Sequence, residues 1–106
     1  MTESEFNDLV DSTLETLEFA LDELDDDVEY EVAGGVLTLE FDNGSTMVFS
    51  RQPPVQQLWL AARSGGFHFS WDEQAGDWCD TREGRPFRPF VVEAMREQAG
   101  IEFNWG

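Results

Sequence analysis

The chain has 106 residues, of which 23 are Asp or Glu and six are Arg, and its net charge is −17. An apolar share of 41% and an aromatic share of 13% exclude a disordered acidic tail and indicate a single domain, residues 1–106. The negative charge opposes direct binding to nucleic acid or to an anionic membrane, so neither is expected as a partner.

The start of the chain and its cysteine content indicate a cytoplasmic protein. No signal peptide or presequence is visible, and no apolar run approaches the roughly 20 residues that span a bilayer. One cysteine, Cys79, excludes an internal disulfide, as expected for a reducing compartment. We therefore expect a soluble, cytoplasmic protein.

Residues 3 to 24 have the spacing of an amphipathic helix. Apolar side chains recur every three or four positions and predict a core-facing stripe of Phe6, Val10, Leu14, Leu17, Leu21 and Leu24. Thr2 and Glu5 have the spacing of a capping box, which marks the start of the helix. A second row at the same spacing is acidic and consists of Asp8, Asp11, Glu15, Glu18 and Asp22. No Lys or Arg lies within the helix, so the repulsion in this row lowers its stability.

The run from Asp25 to Asp27 follows the predicted end of this helix. Carboxylates are unfavourable there, because the free carbonyl groups carry the negative end of the helix dipole. The first fifty residues contain 15 acids and no base. We interpret this concentration as a surface that a bound cation or a basic partner neutralises.

From Val28 the apolar period changes to two, which is typical of strands with one solvated face. Strands are predicted at about 28–32, 37–41, 45–51, 55–62, 67–71 and 78–79. Turns are predicted at Gly34-Gly35, Asn43-Gly44, Gly65-Gly66 and Ala75-Gly76, with Asn43-Gly44 as a two-residue hairpin turn. The pattern predicts five or six antiparallel strands in a meander.

A second helix is predicted near the end of the chain, with Pro89 in its first turn and Gly100 at its C-cap. Its apolar face is Phe90, Val91, Ala94 and Met95, and the apolar tail Ile101, Phe103 and Trp105 should pack near the helix ends. The fold class is therefore α+β: a two-layer sandwich in which two helices pack on one face of a five- to six-stranded antiparallel sheet. The other face of the sheet is left open.

Carboxylates are the metal ligands that this sequence offers in number. With one His and one Cys, a zinc or other soft-metal site is not expected. Hard cations such as Fe²⁺, Fe³⁺, Mn²⁺ or Ca²⁺ could be shared by the acids around the helix end and the first strand: Asp22, Glu23, Asp25, Asp26, Asp27, Glu29 and Glu31. Exposed carboxylates predict weak, adaptable binding. The alternative is a solvated acidic surface, or an acidic bias of the kind found in salt-adapted organisms.

No catalytic motif is visible, so an enzyme is not predicted. His68 alternates with Phe67 and Phe69 and is predicted to be an exposed histidine without a catalytic role. If Leu58 and Leu60 face the core, Trp59 lies on the open face of the sheet, where an aromatic side chain is a frequent interface anchor. The alternative is a shifted register in which Trp59 is buried.

Several segments together resemble one protein family. They are the acidic first helix, Gly34-Gly35-Val36-Leu37-Thr38, the Asn43-Gly44 turn, Arg51-Gln52-Pro53, Gln57-Leu58-Trp59-Leu60-Ala61 and Gly65-Gly66-Phe67-His68-Phe69. Their order resembles the bacterial frataxins of the CyaY type, nearly from end to end. The resemblance implies the fold predicted above and a function without a reaction of its own.

By this resemblance, the chain binds Fe²⁺ or Fe³⁺ weakly as a cofactor, with other divalent cations as substitutes. The implied iron-binding residues are Glu18, Asp22, Glu23, Asp25, Asp26, Asp27, Glu29 and Glu31. Position 7 is often histidine in close bacterial relatives and is sometimes drawn into the iron site. Here it is Asn7, so a metal site would depend on carboxylates alone.

The implied partners are a cysteine desulfurase and the iron–sulfur scaffold protein, contacted through Asp22, Asp25, Asp27 and Trp59. The expected function is iron–sulfur cluster assembly, by regulating the desulfurase and scaffold or by donating iron. We expect a monomer, with iron-induced oligomers as an open alternative. The rival hypothesis is an acidic decoy that mimics nucleic acid and has no metal role.

Overall fold

The computed structural model describes residues 1–25 and 28–105. Helix α1 spans Glu3–Asp22 and buries Phe6, Val10, Leu14, Leu17 and Leu21 against the sheet. Its start is the predicted capping box: the Thr2 hydroxyl accepts from the Glu5 N–H at 3.1 Å, and the Glu5 carboxylate accepts from the Thr2 N–H at 2.9 Å. The helix ends two residues before the predicted position, and Leu24 lies half-buried beyond it.

Within the described residues, six strands form one antiparallel sheet in the order of the chain, which confirms the meander. The strands are β1 (Val28–Ala33), β2 (Val36–Phe41), β3 (Thr46–Gln52), β4 (Gln57–Ala62), β5 (Gly65–Asp72) and β6 (Asp77–Asp80). Strands β1 and β6 therefore form the two edges of the sheet.

The turn between β2 and β3 differs from the prediction. Asn43-Gly44 is not a two-residue turn, because only Gly44 has a positive φ, of 84°. The loop has three residues and is closed by the bond from the Phe41 N–H to the Ser45 carbonyl, at 2.9 Å. In three-residue hairpin loops, a turn followed by a glycine in the left-handed conformation is a common alternative to the two-residue turn. The Asn43 amide also donates to the Gln98 carbonyl at 2.8 Å, a long-range contact that favours this loop.

Two other strand boundaries were predicted wrongly. Pro53–Val55 forms a 3-10 turn, and β4 begins only at Gln57, because the turn includes Val55 and the next residue, Gln56, has a left-handed conformation with φ 50°. The turn between β4 and β5 consists of residues 63 and 64, since Ala62 pairs with Gly65. The glycine pair predicted as a turn is therefore the start of β5.

Helix α2 spans Phe87–Ala99, with Pro89 in its first turn and Gly100 in a left-handed cap conformation with φ 67°. The tail packs as predicted: Ile101 and Phe103 are buried, and the Trp105 ring meets Phe87 edge to face at 5.7 Å. In the described part of the chain, no helix is long and apolar enough to cross a membrane.

The core lies between the two helices and one face of the sheet. Leu37, Leu39, Met47, Phe49, Leu58, Leu60 and Phe69 alternate on that face and are fully buried. The α+β two-layer sandwich is confirmed. In residues 1–25 and 28–105, no helix covers the opposite face, which presents the intervening side chains of every strand.

Candidate functional site

The acidic row of α1 faces solvent. Glu15, Asp22 and Glu23 are exposed and Glu18 is half-buried, and Asp25 follows them, exposed, just after the helix. This is the position that the helical spacing predicts, directly away from the buried stripe. Asp26 and Asp27 lie outside the described residues.

The two predicted acids of β1 lie on the other side of the sheet from α1. Tyr30 and Val28 point toward the helices, so Glu29 and Glu31 point to the open face. They line a shallow pocket together with Thr38 and Glu40 of β2. The structure therefore divides the predicted iron-binding residues into a helix group and a strand group, on either side of the edge strand.

Glu40 was missed by the sequence analysis, although the signal was present. A two-residue turn at Gly34-Gly35 pairs Ala33 with Val36 and, four positions further on, Glu29 with Glu40. Two carboxylates directly opposite on one face repel each other. Glu40 thus extends the strand group to three acids.

A hydrogen bond connects Asp22 of the helix group to strand β1, at the edge of the sheet. The Tyr30 hydroxyl donates to Oδ1 of Asp22 at 2.7 Å. This bond, with partial desolvation and the nearby charges of Asp22 and Glu18, raises the pKa of Tyr30. The phenol therefore stays protonated and keeps Asp22 as an acceptor, which fixes the end of α1 against β1.

Almost none of this charge is balanced within the chain. Of the described acids before residue 51, only Asp11 forms a salt bridge, with Nη2 of Arg51 at 2.6 Å. Arg51 also donates from Nη1 to the Asn7 side chain at 3.1 Å. The expectation that no base relieves the helix row is therefore wrong for Asp11, because Arg51 reaches it from β3.

No three His, Cys, Asp or Glu side chains are grouped closely enough to hold a metal ion in residues 1–25 and 28–105. The donor chemistry nevertheless suits a hard cation, because all the side chains concerned are carboxylates. An ion bound here would have to draw several of them together.

An apolar side chain lies on the same helix surface. Phe19 is 63% exposed and follows Glu18 on the face of α1 that points away from the core. The helical spacing that predicts the buried stripe gives no signal for Phe19, because this residue lies outside the stripe.

Trp59 lies on the open face of the sheet, as the alternation predicted. Its neighbours Leu58 and Leu60 are fully buried, while the Trp59 indole is stacked on His68 of β5 at 4.1 Å between ring centroids. The indole N–H donates to the Gln57 side chain at 2.8 Å. These contacts hold Trp59 flat and half-exposed in the middle of the open face.

Cys79 lies on the same face as Trp59, in the edge strand β6. Burial raises the pKa of its thiol, and the charges of Asp72, Asp77 and Asp80 raise it further. The thiol is therefore a weaker nucleophile at neutral pH than a free cysteine.

The fold and the acidic surface together define a frataxin-type protein, and the comparisons agree. The family model of the frataxin-like domain matches residues 1–101, and the chain belongs to this family. Proteins named iron-sulfur cluster assembly protein CyaY are similar over almost the whole length. The one from Pseudomonas entomophila is 55% identical over 99% of this chain and 96% of its own. The one from Vibrio vulnificus is 42% identical over 99% of both chains.

Solved structures of the family have the same fold. Frataxin from Psychromonas ingrahamii superposes with a TM-score of 0.90 at 35% identity, covering 98% of this chain and 97% of the other. Trimeric frataxin from the yeast Saccharomyces cerevisiae, described as complexed with ferrous, superposes with a TM-score of 0.70 at 29% identity, covering 95% of this chain and 88% of that one.

Proposed function

We propose that this protein acts in iron–sulfur cluster assembly as an iron-binding regulator of cysteine desulfurase and the scaffold protein, and that it has no enzymatic reaction of its own. One observation carries the proposal. Among the described residues, the exposed acids at the end of α1, after it and on β1 form no salt bridge: Asp22, Glu23, Asp25, Glu29 and Glu31. Such a surface is stabilised by a cation from outside.

Iron is one such cation, carried as cargo or as a regulatory ligand. The candidate ligands are those named from the sequence, Glu18, Asp22, Glu23, Asp25, Asp26, Asp27, Glu29 and Glu31, joined by Glu40. Since the described carboxylates are not gathered in advance, part of the binding energy is used to bring them together. Weak binding at more than one position follows. The family membership and the ferrous complex of yeast frataxin support iron as the ion.

A basic protein surface is the second source of positive charge that could neutralise these acids. We propose that Asp22, Asp25 and Asp27 meet a basic patch on the desulfurase. The exposed Phe19, one turn before Asp22 on α1, adds an apolar contact. Trp59 would meet the scaffold protein, because it presents a fixed aromatic surface on the open face. Iron and desulfurase would then compete for the same acids, so iron would change the contact. We propose a monomer without iron and oligomers when iron is present; the trimeric yeast frataxin supports the existence of an oligomeric form.

Thermal unfolding with and without metal tests the proposal. The parent is compared with a triple variant, Asp25→Asn, Asp26→Asn and Asp27→Asn, using anaerobic Fe²⁺ and, as a redox-inert probe, Ca²⁺. We expect metal at ten times its Kd to stabilise the parent by about 1.4 kcal/mol and the variant by much less. Without metal the variant should be the more stable protein, because repulsion is removed.

A matched triple change of exposed acids elsewhere, Glu73→Gln, Glu97→Gln and Glu102→Gln, serves as the control. The control should keep the metal response of the parent. Equal responses in the parent and the Asp25–Asp27 variant would place the iron elsewhere. A pull-down with cysteine desulfurase, made with the same three proteins, distinguishes the assembly function from the rival hypothesis of an acidic decoy. A protein that only mimics nucleic acid would not retain the desulfurase.

A further inference from the structure

Strand β5 is only half covered at its outer edge. It has eight residues, while its partner β6 has four and pairs only with Phe69–Asp72. The last bond on this side runs from the Thr81 N–H to the His68 carbonyl, at 2.9 Å. In the part of the chain that the structure describes, no strand pairs with the outer side of residues 65–67.

The uncovered edge presents backbone groups at one residue in particular. In an antiparallel strand, the N–H and C=O of one residue point to the same side, and every second residue repeats that direction. Since the His68 carbonyl points toward β6, both groups of Gly66 point to the uncovered side. Gly66 is exposed and has no side chain, so a second chain can approach its backbone N–H and C=O groups.

An apolar cleft of about 440 Å³ opens beside this edge, on the helix side of the sheet. Its walls are mainly the side chains of Phe67, Pro86, Pro89, Phe90 and Ala94. Phe67 and Phe90 meet edge to face at 4.6 Å, so the aromatic part is already packed. The cleft has the volume for one or two aliphatic side chains.

Arg85 forms a fixed wall of the cleft. Its Nε donates to the buried carboxylate of Asp80 at 2.8 Å and lies 3.2 Å from Glu83, and the guanidinium sits 4.8 Å above the Phe90 ring. This arginine is already paired and offers no free charge to an acidic ligand.

The remaining charge at the rim is negative. Glu93 is paired with Arg96 at 2.8 Å, but Glu97 has no salt bridge within the described residues. The net charge of the whole chain, −17, acts in the same direction. An occupant with a basic side chain near an apolar one therefore fits this cleft, and an acidic occupant does not.

We propose that the outer edge of β5 at Gly66, with the cleft beside it, binds an extended segment of a partner protein by adding a short strand to the sheet. The added residue opposite Gly66 exchanges hydrogen bonds with its N–H and C=O. The next residue, opposite Phe67, has its side chain on the helix side, where an aliphatic group enters the cleft. A Lys or Arg two positions away reaches Glu97.

A synthetic peptide tests the proposal directly. The probe is fluorescein-labelled Thr-Lys-Thr-Leu-Thr-Lys-Thr, in which Lys and Leu share one face of an extended chain. In the proposed register the Thr amides point toward β5 and the Leu and Lys amides point away. We expect N-methylation of the Thr residues to weaken binding about tenfold, because it removes the peptide N–H that donates to the Gly66 carbonyl and places a methyl group between the two strands. N-methylation of Leu and Lys should have little effect on the affinity measured by fluorescence anisotropy.

Two single-charge variants distinguish binding at the cleft from a general attraction of the basic peptide to an acidic protein. Glu97→Gln should weaken binding about two- to fivefold, as expected for an exposed ion pair. Glu15→Gln, an equal change on the exposed face of α1, should have no effect. Amide exchange at Gly66, followed by NMR, should slow when the peptide saturates the protein.

Three results with the peptide would overturn the proposal: equal affinity for the two N-methylated peptides, an effect of Glu15→Gln equal to that of Glu97→Gln, or unchanged amide exchange at Gly66. A fourth is slower exchange at Gly66 as the protein concentration rises without peptide. The last result would assign the edge to a second copy of the chain. The proposed iron and desulfurase contacts lie on the outer face and at the end of α1, at the β1 edge and on the open face, so these outcomes are independent of them.

Discussion

Arg51 shows how one residue connects the acidic helix to the sheet. It leaves β3 on the helix side, with only 21% of its side chain exposed, and contacts Asp11 and Asn7 of α1. Its Nε lies 3.4 Å from where a side chain on Gly35 would begin, so glycine at that turn leaves room for the guanidinium. Arg51 therefore both fills space beneath α1 and neutralises one carboxylate of the helix row.

Replacing Arg51 with Met should lower the free energy of unfolding by about 1–2 kcal/mol. The change leaves Asn7 without its donor and returns Asp11 to the repulsion along α1, while the apolar contact is largely kept. Urea unfolding at low salt measures the loss. Arg63→Met, in an exposed turn and without a salt bridge in the described part of the chain, is the control and should change stability by less than about 0.5 kcal/mol. Equal losses would show that Arg51 contributes nothing specific.

At the scale of an element, the connection between β6 and α2 is organised by one buried carboxylate. Asp80 accepts the N–H groups of Arg82, Glu83 and Arg85, at 2.7 to 2.9 Å, and the Arg85 side chain at 2.8 Å. Burial alone would raise the pKa of Asp80, but these four hydrogen bonds outweigh it and hold the pKa well below its usual range. The segment thus keeps its shape through Asp80 rather than through a strand or helix of its own.

Asp80→Asn should destabilise the protein by about 2–4 kcal/mol at pH 7, because the amide replaces one acceptor oxygen with an NH2 group, which faces N–H donors that it cannot bind. Because the folded pKa is depressed, the stabilisation by Asp80 is complete above the unfolded pKa of about 4 and declines as pH falls below it. Urea unfolding at pH 7 and at about pH 3 should therefore show the difference between parent and variant shrinking at the lower pH.

Glu83→Gln is the matched control, since Glu83 contacts the same arginine from an exposed position. It should change stability by less than about 0.5 kcal/mol at either pH. A difference for Asp80→Asn that stays constant with pH would mean that the carboxylate charge is not responsible.

At the scale of the whole molecule, the charge is large for the size of the domain. A net charge of −17 lies on a chain with a radius of gyration of 13.2 Å. At low salt the Debye length of about 30 Å exceeds this radius, so every carboxylate repels the others across the molecule. The four salt bridges of the described residues relieve little of this repulsion.

Raising NaCl from about 0.01 M to about 1 M should therefore stabilise the fold, because screening removes more repulsion than attraction. A gain on the order of 1 kcal/mol corresponds to a rise in Tm of about 4–8 °C for a domain of this size. The Asp25–Asp27 triple variant should show a smaller rise. A Tm that falls with salt, or an equal rise in both proteins, would contradict this account.

The sequence by itself determined the helices and strands, the face that each one buries, and the sign of the surface charge. Periods of 3.6 and 2 identify α1, the strands and the open-face position of Trp59, because burial of apolar side chains requires those spacings. The excess of acids in the first fifty residues is likewise a property of the chain alone. These features depend on neighbours a few positions apart.

Tertiary structure decided which distant groups meet. It determined the three-residue loop at Asn43, whose side-chain amide donates to the Gln98 carbonyl of α2. It also brought Arg51 to Asp11 and Tyr30 to Asp22. The physical reason is that hydrogen bonds and charges act over a few ångströms in space, and local sequence patterns do not specify which remote residues come that close.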